Sequence, residues 1–186
     1  MTLFRKAVMI IDDDVKRRKR IYDVLKVTGF DISSAVQGEQ AFGCLPRDKP
    51  NLIVVNAFAP KVDGLSFIRK LRGFGLGQKM IVVALHAEND DNRKQAQQAG
   101  ADDFIAENFQ PYLLLEIICR HLKIDKIRIP ENEFRERRQA VEDLAMSYHK
   151  ARSRDVNFKG VQLLLPDGRD LSRLMLTDDA GVAKNR

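Results

Sequence analysis

The sequence predicts an α/β fold, a doubly wound five-stranded parallel sheet, with a small C-terminal helix-plus-hairpin extension. Three observations predict it. Between residues 6 and 122, short apolar runs alternate five times with amphipathic stretches. βα units of this length imply a parallel sheet covered on both faces. Polar residues close the apolar runs, as Asp12-Asp13-Asp14 close Ala7–Ile11 and Asn56 closes Leu52–Val55. Such residues collect at the carboxyl edge of the sheet, where open α/β folds place their ligands. The 186 residues suffice for one domain of typical size, placed at 1–124, and an appendage at 125–186.

Each element has its own signal. Lys6–Ile11 is the first strand. Val15–Thr28 is a helix, with Ile21, Val24, Leu25 and Thr28 on one face and Gly29 at its end. Phe30–Ser34 is a short second strand, and Gly38–Leu45 a helix ended near Pro46. Asn51–Val55 is the third strand. Gly64–Leu71 is a helix with Leu65, Phe67, Ile68 and Leu71 apolar. Gly73-Phe74-Gly75-Leu76-Gly77 reads as a loop. Met80–Leu85 is the fourth strand, and Asn89–Ala99 a polar helix closed by Gly100. Asp103–Ala106 is the fifth strand, followed by the strongly apolar helix Pro111–Leu122. That helix carries more apolar residues than one buried stripe requires, which fits either docking and dimerisation or dense packing.

After Pro130, Glu131–Tyr148 reads as a helix with Phe134, Val141, Leu144 or Ala145, and Tyr148 on one side. Residues 155–176 read as a hairpin about Pro166-Asp167-Gly168, and the tail from Thr177 as disordered. Nothing here pairs a recognition helix with a preceding helix and turn, which argues against a DNA-binding output domain of the usual kind.

Composition narrows the function. Hydrophobic content of 44% beside 31% charged residues reads as soluble and globular, with no run long enough to span a membrane. Asp12–Asp14 end the first apolar run too early for a secretory signal. Cys44 and Cys119 lie far apart in apolar helical patterns, as core thiols of a reducing cytoplasm do. The net charge of +6 is spread along the chain and is weak support for an anionic partner. The run Lys16-Arg17-Arg18-Lys19-Arg20 sweeps the whole circumference of a helix at ~100° per residue. Counting back from Ile21 and Val24 puts Arg17 and Arg20 near the core-facing stripe, where they are expected to snorkel.

Between residues 1 and 124 the ordered set of motifs resembles the receiver domain of bacterial two-component response regulators. The set is Ile10–Asp14, the turn Ala35–Ala41, Pro50–Asn56, Pro60-Lys61-Val62-Asp63-Gly64 and Ala99–Phe104. The resemblance implies the flavodoxin-like (βα)5 fold and a phosphorylation pocket. In the family, an acidic pair holds magnesium, an aspartate after the third strand takes a phosphoryl group, and a hydroxyl residue and a lysine bind that group. Carried over, Asp12 and Asp13 match the acidic pair and remain candidate metal ligands. Asn56 replaces the phosphoacceptor, and His86, followed by the small Ala87, replaces the hydroxyl residue. Glu107 replaces the lysine, and Phe104 keeps the switch aromatic.

The three replacements share a direction. An amide does not readily form an acyl phosphate. A carboxylate facing phosphate at ~4 Å is repelled by about 4 kcal/mol at an effective dielectric near 20. Asp12, Asp13 and Glu107 then crowd together without a lysine, so one carboxylate has a raised pKa, or His86 or a cation pairs with them. His86 near Glu107 reads either as a structural hydrogen bond or as a proton switch. The expectation is a non-enzymatic, cytoplasmic pseudo-receiver that works through protein partners without phosphoryl transfer. A homodimer through the fourth helix, fifth strand and fifth helix is compatible with the family.

A weaker likeness lies in the extension. Arg137-Arg138 and Asp155-Val156-Asn157-Phe158-Lys159-Gly160 resemble the start of a PilZ domain, a family that binds cyclic di-GMP through arginines. Asn157 departs from that motif's serine, and the arginine spacing departs as well. The resemblance implies Arg137, Arg138, Asp155, Asn157 and Gly160 as nucleotide ligands. A helix-plus-hairpin extension that docks is the competing reading.

Overall fold

The largely apolar runs Ala7–Ile11, Leu52–Asn56 and Ile81–His86 are buried along nearly their whole length and leave no polar face to solvate. In the computed structural model, residues 6–75, 77–86, 89–154 and 158–175 are described. The expectations at Ala87, Asp155, Asn157 and the tail from Thr177 lie outside them. The elements run β1 Ala7–Ile11, α1 Val15–Val27, β2 Asp31–Ala35, α2 Gly38–Asp48, β3 Leu52–Asn56, α3 Gly64–Gly73, β4 Ile81–His86, α4 Asp90–Ala99, β5 Asp103–Ala106 and α5 Pro111–Leu122. Then come β6 Lys126–Arg128, α6 Glu131–Glu136, α7 Arg138–Ser153 and β7 Gln162–Leu164.

Strands β1 to β5 make one parallel sheet in the order β2-β1-β3-β4-β5, flanked by helices. This is the predicted architecture. The order reverses beside β1, which opens a crevice at the carboxyl ends of β1 and β3. Met9, Ile11, Ile53, Val55, Val82 and Ala84 line one face and pack with Phe67, Ile68 and Leu71 of α3. No helix among the described residues is long and apolar enough to cross a membrane.

The chain divides into two compact units, Met1–Tyr22 with Phe30–Phe109, and Asp23–Gly29 with Gln110–Arg186. In this division α5 groups with the C-terminal residues, whereas the sequence reading places the boundary at 124/125. The cause lies in the second unit. The Tyr112 amide donates to Ser147 Oγ of α7 at 3.0 Å, its hydroxyl donates to the Val161 carbonyl at 3.1 Å, and its ring lies 5.1 Å from that of Tyr148. Burial pushes the pKa of the Tyr112 hydroxyl up, and burial likewise pushes the Cys119 thiol up to about 12. Most of the apolar surplus of α5 is buried, with Leu113 the exception.

Other departures have local causes. Helix α2 runs on through Pro46 to Asp48, and left-handed Lys49 closes it by donating its N–H to the Leu45 carbonyl. Pro46 lies in the last turn, so it removes a hydrogen bond without stopping the chain from completing that turn. The predicted single helix 131–148 is two, broken at Arg137 (φ −124°, ψ 43°). Val141, Leu144, Ala145 and Tyr148 are its buried face, as the pattern required. The Pro-Asp-Gly turn is present, with Leu165 N–H donating to the Arg169 carbonyl at 2.7 Å. The hairpin is not completed as two strands, because Leu171–Met175 is a 3-10 turn. Strand β7 instead pairs in parallel with β6, Ile127 opposite Leu163.

Gly64 fixes the crossing of α3 beneath β3. A Cβ there would lie 2.4 Å from the Asn56 carbonyl oxygen and 2.7 Å from Ala57 Cα. Both are backbone atoms that cannot swing aside, so Gly64→Ala is expected to lose about 2 kcal/mol. A urea midpoint unchanged from the parent protein would overturn that account of the crossing.

Candidate functional site

Three parallel strands end side by side, and each delivers a polar residue to the carboxyl edge. Asp12 follows β1, Asn56 ends β3 and His86 ends β4. Glu107 directly follows β5, with its N–H donating to the His86 carbonyl at 3.0 Å. Asp12 is 0% and Asn56 1% exposed, and His86 is buried too. The His86 ring meets Phe104 edge-on at 6.1 Å, so the expected switch aromatic packs on it.

The cation in this pocket comes from an element that the motif pattern did not suggest. Arg17, in the first turns of α1, turns its guanidinium inward. Its Nε donates to Asp12 Oδ2, its Nη2 to Asp12 Oδ1 at 2.9 Å and its Nη1 to Glu107 Oε2 at 3.0 Å. The fork geometry of arginine allows two bonds to one carboxylate and a third to its neighbour. The side-chain hydrogen bond that Arg17 donates to Asp12 raises the Arg17 pKa above its ordinary value, against the opposing effect of desolvation. The expected snorkelling is thus corrected, and the crowding of carboxylates is met by an internal cation. Arg20 is also engaged, donating to the Phe109 carbonyl with its guanidinium 4.6 Å from that ring.

Asn56 bridges the same acids. Its Nδ2 donates to Asp12 Oδ1 and to Glu107 Oε1, each at 3.4 Å, and its Oδ1 accepts the Phe58 N–H at 3.1 Å. An aspartate could accept that last bond but could not donate the other two. Asp14 begins α1, its Oδ1 accepting the N–H groups of Lys16 at 2.8 Å and Arg17 at 3.0 Å. The bond from the Arg17 N–H holds the Asp14 carboxyl below its ordinary range. The Asp12 carbonyl accepts Arg18 Nη1 at 2.7 Å, so two successive arginines tie α1 to the end of β1.

Asp13 is half-buried beside Asp12. Among the described residues no group of three or more histidine, cysteine or acidic side chains is arranged to hold a metal ion. In the second unit, Arg137 pairs with Glu133 at 2.9 Å and Asp23 at 3.4 Å, and Arg138 with Glu142 at 2.9 Å. Gly160 packs under the Tyr112 hydroxyl and the Phe158 ring. These residues of the cyclic di-GMP expectation are thus engaged in the helix and its core. Arg17 was legible only as a basic residue on the core-facing side of its helix, since its two acids lie five and ninety positions away.

A family model described as response regulator receiver domain matches residues 8–119. The Mycobacterium tuberculosis response regulator MprA is 27% identical over 141 residues, covering 76% of this chain and 56% of that protein. The alkaline phosphatase synthesis transcriptional regulatory protein PhoP of Bacillus subtilis is 26% identical, covering 93% and 76%. The chain thus spans about half the length of several relatives that it matches. Among solved structures, the chemotaxis response regulator CheY4 of Vibrio cholerae is similar at a TM-score of 0.59 and 19% identity, covering 63% of this chain and 98% of that one. The receiver domain of a Pseudomonas aeruginosa sensor histidine kinase, with a magnesium ion coordinated in its active site cleft, is similar at 0.60 and 24%, covering 64% and 98%.

Two outcomes are expected from this geometry. Removing the cation leaves a buried carboxylate unpaired, so Arg17→Met is expected to cost about 3 kcal/mol of stability. Adding Asp12→Asn should recover part of that loss, and a urea-unfolding cycle with strictly additive losses would refute the pairing. For Asp14, a folded pKa below the ordinary 3.8 means a stabilisation present above that value and lost as pH falls through the lowered one. The stability gap between the parent and Asp14→Asn is therefore expected at pH ~6 and should close near pH ~2. A gap of constant size across that range would contradict the assignment.

Proposed function

The chain belongs to the response regulator receiver domain family, and on that premise we propose that it is a phosphorylation-independent signalling adaptor. It acts in the cytoplasm, without enzymatic activity, through protein partners that read its fixed surface. One observation carries this reading: the residue at the phosphoacceptor position is a buried amide whose Nδ2 donates to two acids and whose Oδ1 accepts a backbone N–H. An amide nitrogen is no nucleophile toward phosphorus, and replacing it there would break the pocket's own bonds. The position of the family's lysine holds Glu107, and its charge is spent on Arg17. The Pseudomonas receiver coordinates magnesium in its active site cleft, whereas here the guanidinium of Arg17 lies on Asp12.

Incubating the protein with acetyl phosphate and magnesium is expected to leave its intact mass unchanged. Its amide spectrum should also be indifferent to beryllofluoride, a mimic of the bound phosphoryl group. Stoichiometric phosphate on the unmodified chain, or beryllofluoride shifts centred on Asn56, would return it to the phosphorylated members of the family.

A further inference from the structure

The resemblance implies a divalent cation beside Asp12 and Asp13, and the residues present do not fit one. Magnesium takes oxygen ligands at about 2.0–2.1 Å in near-octahedral array and is bound most readily by carboxylates with a free lone pair facing it. Both Asp12 oxygens are engaged by Arg17, and Oδ1 also accepts the Asp14 N–H at 3.0 Å and the Asn56 amide. Asn56 turns its donor, not its oxygen, toward the acids. A metal entering this cleft would meet N–H groups where its oxygen ligands should stand.

We infer that Arg17 is the built-in cation of the pocket, taking at once the place of the divalent ion and of the family's lysine. One side chain contributes a positive charge both to Asp12, the acid those groups would have served, and to Glu107, which stands at the lysine's own position. It is only 17% exposed, and α1 holds it from both sides through the Asp14 cap and the Arg18 bond to the Asp12 carbonyl. The ionic state of the pocket is consequently independent of magnesium concentration. Arg17 is a positioning residue, and nothing in its role requires a reaction. The inference rests on the same pocket as the adaptor reading, yet the two fail separately. A chain that bound metal and still refused phosphate would sink the first and spare the second.

The test is a manganese titration of the full chain, with free metal counted by electron paramagnetic resonance. The parent protein is expected to show no saturable site up to about 1 mM, the range of weak carboxylate sites. Arg17→Gln keeps a hydrogen-bonding side chain without the charge and is expected to bind one ion at least about tenfold more tightly than the parent, a gain that Asp12→Asn added to it abolishes. Saturable binding by the parent that Asp12→Asn removes would overturn the inference, as would a folded Arg17→Gln that binds nothing. Should Arg17→Gln not fold, the parent titration stands alone. It is joined by the side-chain Nε–H signals of the unmodified protein, which magnesium is expected to leave in place. Displacement of an arginine signal by magnesium, absent in Asp12→Asn, would also overturn it.

Discussion

Asp12 directly follows the strand that lies between β2 and β3, with its carboxylate wholly removed from solvent. A charge in that position is costly unless donors surround it and a counter-charge lies against it. Arg17, the Asp14 N–H and the Asn56 amide supply these. The consequences spread outward. Arg17 and Arg18 tie the first turns of α1 to the end of β1, and Glu107, just past β5, meets the same guanidinium. The carboxyl edge is therefore a closed electrostatic unit assembled from three separate connections of the sheet.

Seen this way, the substitutions compensate one another. A carboxylate at 56 would have placed a third negative charge beside Asp12 and Glu107, with a single guanidinium to balance them. The amide keeps the shape, removes the charge and supplies donors to both neighbours. Glu107, read from sequence as a source of repulsion toward phosphate, is in the folded protein an acceptor for Arg17 and Asn56. Asp12, Asn56, Glu107 and Arg17 are thus joined by contacts made within the chain.

Much of the sheet was legible because buried parallel strands write themselves as continuous apolar runs, and because Gly29, Asn89 and Gly100 mark helix ends by rules local to a few residues. Gly29 and Gly100 indeed adopt positive φ, and Asn89 accepts two N–H groups at the start of α4. Asp12 and Asn56 were read from the ends of those runs, and His86 and Glu107 from the resemblance to the receiver family. What escaped the sequence depends on distant partners. Three-residue strands such as β6 and β7 are too short to carry a periodicity that would announce their parallel pairing. The break at Arg137 has no Pro or Gly to announce it, and it coincides with that residue's pairing to Glu133 and Asp23. Arg17 was visible as a residue on the core-facing stripe, but only the closed sheet brings Glu107 to it.

The two ends of the Arg17 bridge differ greatly in the chain they enclose. Its bond to Asp12 closes a loop of five residues, and its bond to Glu107 one of ninety. A short loop forms quickly and at small entropic cost, whereas distant closure must wait for the intervening strands. The bond to Asp12 therefore costs little chain entropy beyond that of the first turns of the helix, whereas the bond to Glu107 draws on the entropy lost when the whole sheet is assembled.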